Sequence, residues 1–281
     1  MKTYKIHSYA KINLNLNVIK KFKNKNLHAI ESLIVFIKLS DVIKIQCIAS
    51  NYHKVIFQGK FSKGIPVKNS VSYLLNFLQK KKLLKEKKYK IVIKKNIPQQ
   101  SGMGGGSMNA ASILNFFYKK GIINSTHVKL CSKEIGSDVL LGINKKPKII
   151  FSNGKIKETR SNFNYWILLI KPFKGCSTKE IYSLNKSFSK KEFKYDKNLK
   201  ISESAILKGK NDLEKAAFKK YPLLKNLKNK LLKNKNAKFV RMTGSGSTLV
   251  VYFKSKIYAK NAFKLYKRKL NNCWCFLTKI I

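Results

Sequence analysis

The chain has 281 residues, enough for one large domain or two of ordinary size, and 44% of them are hydrophobic, a globular proportion that excludes wholesale disorder. Its 61 Lys plus Arg against 12 Asp plus Glu give a formal net charge of +49. That charge invites a nucleic-acid reading, but the basic residues are almost all Lys, with Arg at Arg160, Arg241 and Arg268, and they spread along the whole chain.

Arg is the residue that base and phosphate recognition favours. Abundant Lys, Asn, Ile, Phe and Tyr with scarce Arg, Gly and Pro is the pattern that A- and T-rich codons leave behind. Nucleic acid is therefore not expected as a specific partner. Cys47, Cys131, Cys176, Cys273 and Cys275 form no CxxC pair and have no His at metal-ligand spacing, so they read as apolar filler in a reducing compartment. The first residues lack the apolar stretch of a signal peptide, and no run approaches the roughly 20 apolar residues of a membrane span. A cytoplasmic protein without membrane contact is expected, monomeric or homodimeric.

In chain order, residues 4–19 alternate as a strand, with Ile6, Ser8, Ala10, Ile12, Leu14 and Leu16 on one side. Residues 20–28 are a polar loop. ESLIVFIKL and DVIKIQCI read as two further strands. Asn69 and Ser70 cap a helix carrying Val71, Leu74, Leu75 and Leu78 at helical spacing. A strand, YKIVIKKNIP, ends at Pro98, and a glycine loop leads into a helix that stops at Gly121. HVKLCSKEIG is a shorter helix with Gly136 where a C-terminal cap belongs. Beyond residue 150 come a strand (YWILLIKP), a polar stretch from Lys186 to Lys200 without period, and helices interrupted at Pro222. A strand–glycine turn–strand (KFVRMTGSGSTLVVYF), a helix over 256–270 and a last strand (CWCFLTKI) follow. Helices and strands mix without a strict βαβ repeat, so the fold class is α+β in two domains.

Chemistry concentrates in four segments. The strongest is Pro98-Gln-Gln-Ser-Gly-Met-Gly-Gly-Gly-Ser-Met-Asn-Ala-Ala111. Gly104, Gly105 and Gly106 let the backbone approach a ligand closely, and the helix behind them aims its unpaired N–H groups and positive dipole end at the loop. Together these suit the phosphates of a nucleotide, although the segment is neither a Walker A loop nor a dinucleotide GxGxxG turn. A flexible glycine turn is the plainer alternative. Lys11, in Ala10-Lys-Ile-Asn-Leu14, is by itself only a strand lysine in a lysine-rich chain, though it stands between apolar neighbours. Asp138, in Gly136-Ser-Asp138, is by itself an ordinary turn aspartate. Thr243-Gly-Ser-Gly-Ser247 is by itself a hairpin turn.

Taken together, in this order and spacing, the four segments resemble the galactokinase, homoserine kinase and mevalonate kinase (GHMP kinase) superfamily. Within it the chain is most similar to the cytidyl-methylerythritol kinases of the non-mevalonate isoprenoid pathway. AKINLNL, IPQQSGMGGGSMNAA with its triple glycine, IGSDV and NDLE (211–214) carry that similarity, over residues 8 to about 253. The resemblance implies a ribosomal-protein-like first domain (1–152) that binds ATP and a ferredoxin-like second domain (153–281). It implies ATP-dependent phosphorylation of the 2-hydroxyl of a cytidine diphosphate conjugate of methylerythritol, a small-molecule substrate. Asp138 would be the general base, with Lys11 beside it to stabilise the developing alkoxide. Pro98, Gln99, Gln100, Ser101, Gly102, Met103, Gly104, Gly105, Gly106, Ser107 and Met108 would hold the ATP phosphates, with Mg²⁺ offsetting charge. His28 would hydrogen-bond the cytosine, Tyr182 would stack on it, and Asn13 and Lys95 would line the site.

The chain departs from the family where Lys25-Asn26-Leu27 replaces Asp-Gly-Tyr, so Leu27 takes the place of the second aromatic face on the base. Leu140 replaces a proline, and Gln99, Gln100 and Ser101 replace small residues. The alternatives are another GHMP kinase of the homoserine or mevalonate type, which competition by CDP or CMP separates, and a basic RNA-binding protein. Affinity for RNA that lacks sequence preference and is lost by about 0.2 M salt marks adventitious charge.

Overall fold

The computed structural model describes residues 2–22, 27–193 and 199–281, and of Ser137 the backbone alone. In chain order its elements are β1 (Thr3–Asn13), β2 (Asn17–Lys21), β3 (His28–Ile48), β4 (Lys54–Gln58), α1 (Ser70–Lys80), β5 (Lys88–Lys94) and α2 (Gly105–Lys119). Next come α3 (Ser125–Ile135), α4 (Ser137–Leu141), β6 (Lys148–Ile150), β7 (Ile156–Glu158), β8 (Trp166–Pro172), α5 (Thr178–Leu184) and α6 (Glu203–Lys208). The chain closes with α7 (Leu213–Lys220), α8 (Pro222–Leu232), β9 (Phe239–Met242), β10 (Leu249–Phe253), α9 (Lys256–Lys269) and β11 (Cys273–Lys279). Residues group into two compact units that are not contiguous in sequence. The first comprises residues up to Ala10, Leu39–Gln99 and Gly104–Lys145; the second comprises Lys11–Lys38, Gln100–Met103 and Lys146–Ile281.

In the first unit the C-terminal part of β3 pairs antiparallel with β5 (Ile43 opposite Ile93), and β5 pairs parallel with β4. One face of these strands buries Ile43, Ile45, Ile91 and Ile93 against Leu74, Leu75 and Leu78 of α1 and Ile113, Leu114 and Phe117 of α2. Helix α1 starts as its sequence predicts, with Asn69 Oδ1 accepting the N–H groups of Val71 and Ser72. Its apolar face is the predicted one.

In the second unit β11, β8, β10 and β9 form an antiparallel sheet in that order. Numbered along the chain this is 4-1-3-2, with helices joining the first strand to the second and the third to the fourth, the ferredoxin-like arrangement. Leu168, Ile170, Val240, Leu249 and Val251 of the sheet are buried with Leu224 and Leu231 of α8 and Ala259 and Ala262 of α9. Pro222 does divide α7 from α8: it stands at the first turn of α8, where its missing N–H costs nothing.

Several expectations about elements change: Lys20, Lys21 and His28 of the expected polar loop belong to paired strands, and β5 ends at Lys94, short of Pro98. The strand read over 4–19 is two strands, because the backbone between them changes partner: Leu14 N–H donates to Leu33 O and Leu16 N–H to Lys210 O. The two strands read in ESLIVFIKL and DVIKIQCI are the single strand β3, since Asp41, a polar residue that reads as a break, is buried and paired. Gly136 does end α3, but α4 begins at the next residue, so Asp138 lies in a helical first turn. Of the polar stretch Lys186–Lys200, residues 186–193, 199 and 200 carry no helix or strand. Among the described residues no helix is long and apolar enough to cross a membrane.

Candidate active site

Each unit carries part of the expected set. In the first, Gly104 takes a left-handed backbone (φ 68°) as the residue before α2 and supplies no side chain to cap it. The first intrahelical bond runs from Met108 N–H to Gly104 O at 2.9 Å, so the N–H groups before it face away from the helix. Gly105 has an ordinary helical backbone, but its surroundings are tight. A Cβ there would lie 3.2 Å from Ile97 Cγ2 and 3.3 Å from Lys95 Nζ. The result is a bare helix N-terminus with an ammonium beneath it, a donor set that fits phosphate oxygens.

Asp138 is held to the same helix. Gly136 reaches φ 147°, a conformation open to glycine, and turns the chain from α3 into α4. Val139 and Leu141 are fully buried, and Gly142 closes α4 so tightly on α2 that a Cβ would come 2.6 Å from Ala111 Cβ and 2.9 Å from Met108 Sδ. The half-buried Asp138 thus rides on a helix locked against the first turns of α2. Pro98 is buried and Gln99 exposed, its Nε2 donating to the carbonyls of Phe61 and Lys63 at 3.0 and 2.8 Å. Ser107 is half-buried and Gly106 exposed.

In the second unit Lys11 is 6% exposed, so it is no solvated strand lysine. Its Nζ donates to Asn13 Oδ1 at 3.0 Å and its backbone N–H to Met103 O at 3.2 Å. Asn13 Nδ2 donates to Ser32 Oγ at 2.7 Å, which fixes the amide so that its oxygen faces the ammonium. The Asn13 N–H donates to Thr243 Oγ1 at 3.0 Å, and the Thr243 hydroxyl lies 3.3 Å from Gly102 O. Gln100, at φ 47°, accepts through its carbonyl from Cys176 N–H and Ser247 N–H. Ser101 and Met103 are buried. The Gln100–Met103 stretch is therefore seated on the glycine turn 243–247, which is more than a hairpin connection.

The rings of His28 and Tyr182 lie side by side, their centroids 5.2 Å apart at 40°. Burial, then the charge of Lys21, lowers the His28 pKa below its ordinary value, and among the described residues its buried Nε2 meets no hydrogen-bond partner. Leu27 is 60% exposed, whereas Lys25 and Asn26 lie outside the described residues.

Sequence reasoning passed over several residues that hold these pieces. NDLE enters it only as a likeness, yet each polar member has a task. Asn211 Nδ2 donates to Met242 O at 2.7 Å and Gly244 O at 2.8 Å, pinning the glycine turn. Asp212 Oδ2 accepts from Val18 N–H, and Glu214 Oε1 from Met242 N–H. Arg241, buried over the Phe239 ring, donates to the carbonyls of Leu14 and Ile206 behind Asn13. Its being one of three arginines in a lysine-rich chain is the local signal that could have marked it.

The family models for the GHMP kinases N terminal domain and GHMP kinases C terminal match residues 69–139 and 197–272. The chain is 52% identical to the 4-diphosphocytidyl-2-C-methyl-D-erythritol kinase of Pelagibacter ubique (strain HTCC1062), over 100% of both chains. It is 31% identical to the enzyme of that name from Clostridium perfringens (strain SM101 / Type A), over 99% of this chain and 98% of the other. Among solved structures, a 4-(cytidine 5'-diphospho)-2C-methyl-D-erythritol kinase superposes with a TM-score of 0.78 at 20% identity, covering 99% of each chain. The homoserine kinase from Cytophaga hutchinsonii gives 0.67 at 14% identity, covering 100% of this chain and 98% of the other.

Proposed function

The chain belongs to the 4-diphosphocytidyl-2-C-methyl-D-erythritol kinases within the GHMP kinase family, and from that membership we propose its reaction: transfer of the γ-phosphoryl group of ATP to the 2-hydroxyl of 4-diphosphocytidyl-2-C-methyl-D-erythritol. It is an ATP-dependent small-molecule kinase of the methylerythritol phosphate route to isoprenoid precursors. The observation that carries this is the 52% identity along the entire chain.

Asp138 accepts the hydroxyl proton as the substrate oxygen attacks the γ-phosphorus, and Lys11 offsets the charge that develops on that oxygen. Asn13 sets the Lys11 ammonium and lines the acceptor's place. The backbone N–H groups of the Gly104–Ser107 stretch hold phosphate oxygens, with Lys95 beneath Gly105. The remainder of the loop, from Pro98 to Met108, shapes that bed. His28 hydrogen-bonds the cytosine and Tyr182 stacks on it. Phosphoryl transfer asks the protein chiefly for positioning and electrostatic stabilisation.

No three His, Cys, Asp or Glu converge among the described residues. Asp138 is the carboxylate that would stand by a Mg²⁺ ion brought in with the nucleotide, and the ion would supply charge neutralisation on the transferred group. The same reading makes the protein cytoplasmic, monomeric or homodimeric, with no specific nucleic-acid partner. It keeps 152/153 as the limit between the family's two domains, and the two family matches fall on either side of it.

The test is ATP turnover by the purified protein with and without the cytidine substrate, alongside Asp138→Asn. Turnover that depends on substrate and is lost in the variant, with ATP still bound, is the expected result. ATP bound but never turned over with this substrate would reject the proposed acceptor, and no ATP binding would reject the kinase.

A further inference from the structure

Asp41 stands near the middle of β3 with none of its surface exposed. A strand interior is a poor place for aspartate, and a buried carboxylate is costly unless it is both paired and hydrogen-bonded. One short stretch meets both needs. Asp41 Oδ2 is ion-paired with Lys95 Nζ, while Oδ1 accepts the N–H groups of Asn96 at 2.7 Å and Ile97 at 2.9 Å. Lys95 is itself only 4% exposed.

The two groups closest to a Cβ placed on Gly105 are Ile97 Cγ2 and Lys95 Nζ. Asp41 holds both of the residues they belong to. Stability alone does not account for such a pair, since a buried ion pair is often no better than well-packed apolar side chains. A buried lysine without its carboxylate would tend to shed its proton or swing toward water.

We infer that Asp41 is a positioning residue for nucleotide binding: it fixes the Lys95 ammonium and the Ile97 side chain beneath Gly105, so that the start of α2 receives phosphate over a preset positive charge. Asp41 touches neither substrate and acts through Lys95. The inference rests on the kinase reading above.

The experiment compares wild type, Asp41→Asn, Lys95→Met and the double variant, by ADP binding, by the KM for ATP and for the cytidine substrate, and by thermal unfolding. Asparagine keeps an acceptor for Asn96 and Ile97 while removing the charge. Asp41→Asn and Lys95→Met should each weaken ADP binding and raise the KM for ATP about tenfold, the size of one charge-assisted contact. The double variant should bind no more weakly than either single one, because one residue acts through the other. Wild-type nucleotide affinity in folded Asp41→Asn, or single effects that simply add, overturns the inference. Should Asp41→Asn not fold, Asp41→Glu decides, since it keeps the charge but moves it: weakened ADP binding in the folded variant supports the inference and wild-type affinity overturns it. A wild-type protein that binds no nucleotide overturns the kinase reading too, which separates that failure from a failure of Asp41 alone.

Discussion

Gly102 and Thr243 leave no room between them: a Cβ on Gly102 would overlap the Thr243 carbonyl oxygen and lie 3.2 Å from the Gly246 nitrogen. Gly102 also takes φ 73°, where an L side chain is strained.

Gly102→Ala should therefore cost far more than strain. Gly154 provides the control, with φ 80° and, among the described residues, nothing within 4 Å of the place a methyl would take. Gly154→Ala should lose about 1–2 kcal/mol, the cost of a left-handed backbone, and keep activity. Gly102→Ala adds overpacking of about 1–3 kcal/mol and should also lose ATP affinity. Urea unfolding of both variants checks the difference; equal losses would show that the turn 243–247 yields freely.

Leu27 bears on base recognition. If it stands where the family has its second aromatic, Leu27→Tyr supplies a missing stacking face, worth about 1 kcal/mol at so exposed a position, at the low end for base–aromatic contacts. The KM for the cytidine substrate should fall about fivefold and the KM for ATP should not move. An unchanged acceptor KM means that residue 27 does not face the base.

His53 makes stability depend on pH. Its Nδ1 accepts the Tyr89 N–H at 3.0 Å, so the ring is neutral with its proton on Nε2. Burial first, and the Lys88 charge second, lower its pKa below the ordinary 6.5. The unfolded chain then binds the extra proton more readily, so stability is complete above pH 6.5 and is lost as pH falls below it. Thermal unfolding from about pH 8 to about pH 5 should show that decline, flattened in His53→Gln, which offers an acceptor that does not titrate. Superimposable curves would remove His53 as the cause.

Much of the fold is legible in residue order because its signals are local. The spacing of Val71, Leu74, Leu75 and Leu78 marks the buried face of α1, Pro222 marks the start of α8, and Gly104–Gly106 mark the glycine turn that opens α2. The four motif segments in order point to the family, since a string of short motifs needs no knowledge of contacts.

What stays hidden is decided by partners far away in the chain. Lys11 reads as one lysine among many until Asn13, itself held by Thr243 across 230 residues, turns an amide oxygen toward it. Asp41 reads as a break in a strand until Lys95, Asn96 and Ile97 meet its carboxylate. The two compact units draw on separate stretches of sequence, so no single cut in the chain describes them. Periodicity and turn chemistry depend on neighbours a few residues apart and can be read directly. Burial and pairing of a charge depend on what the rest of the chain brings alongside, and that is set only when the molecule folds.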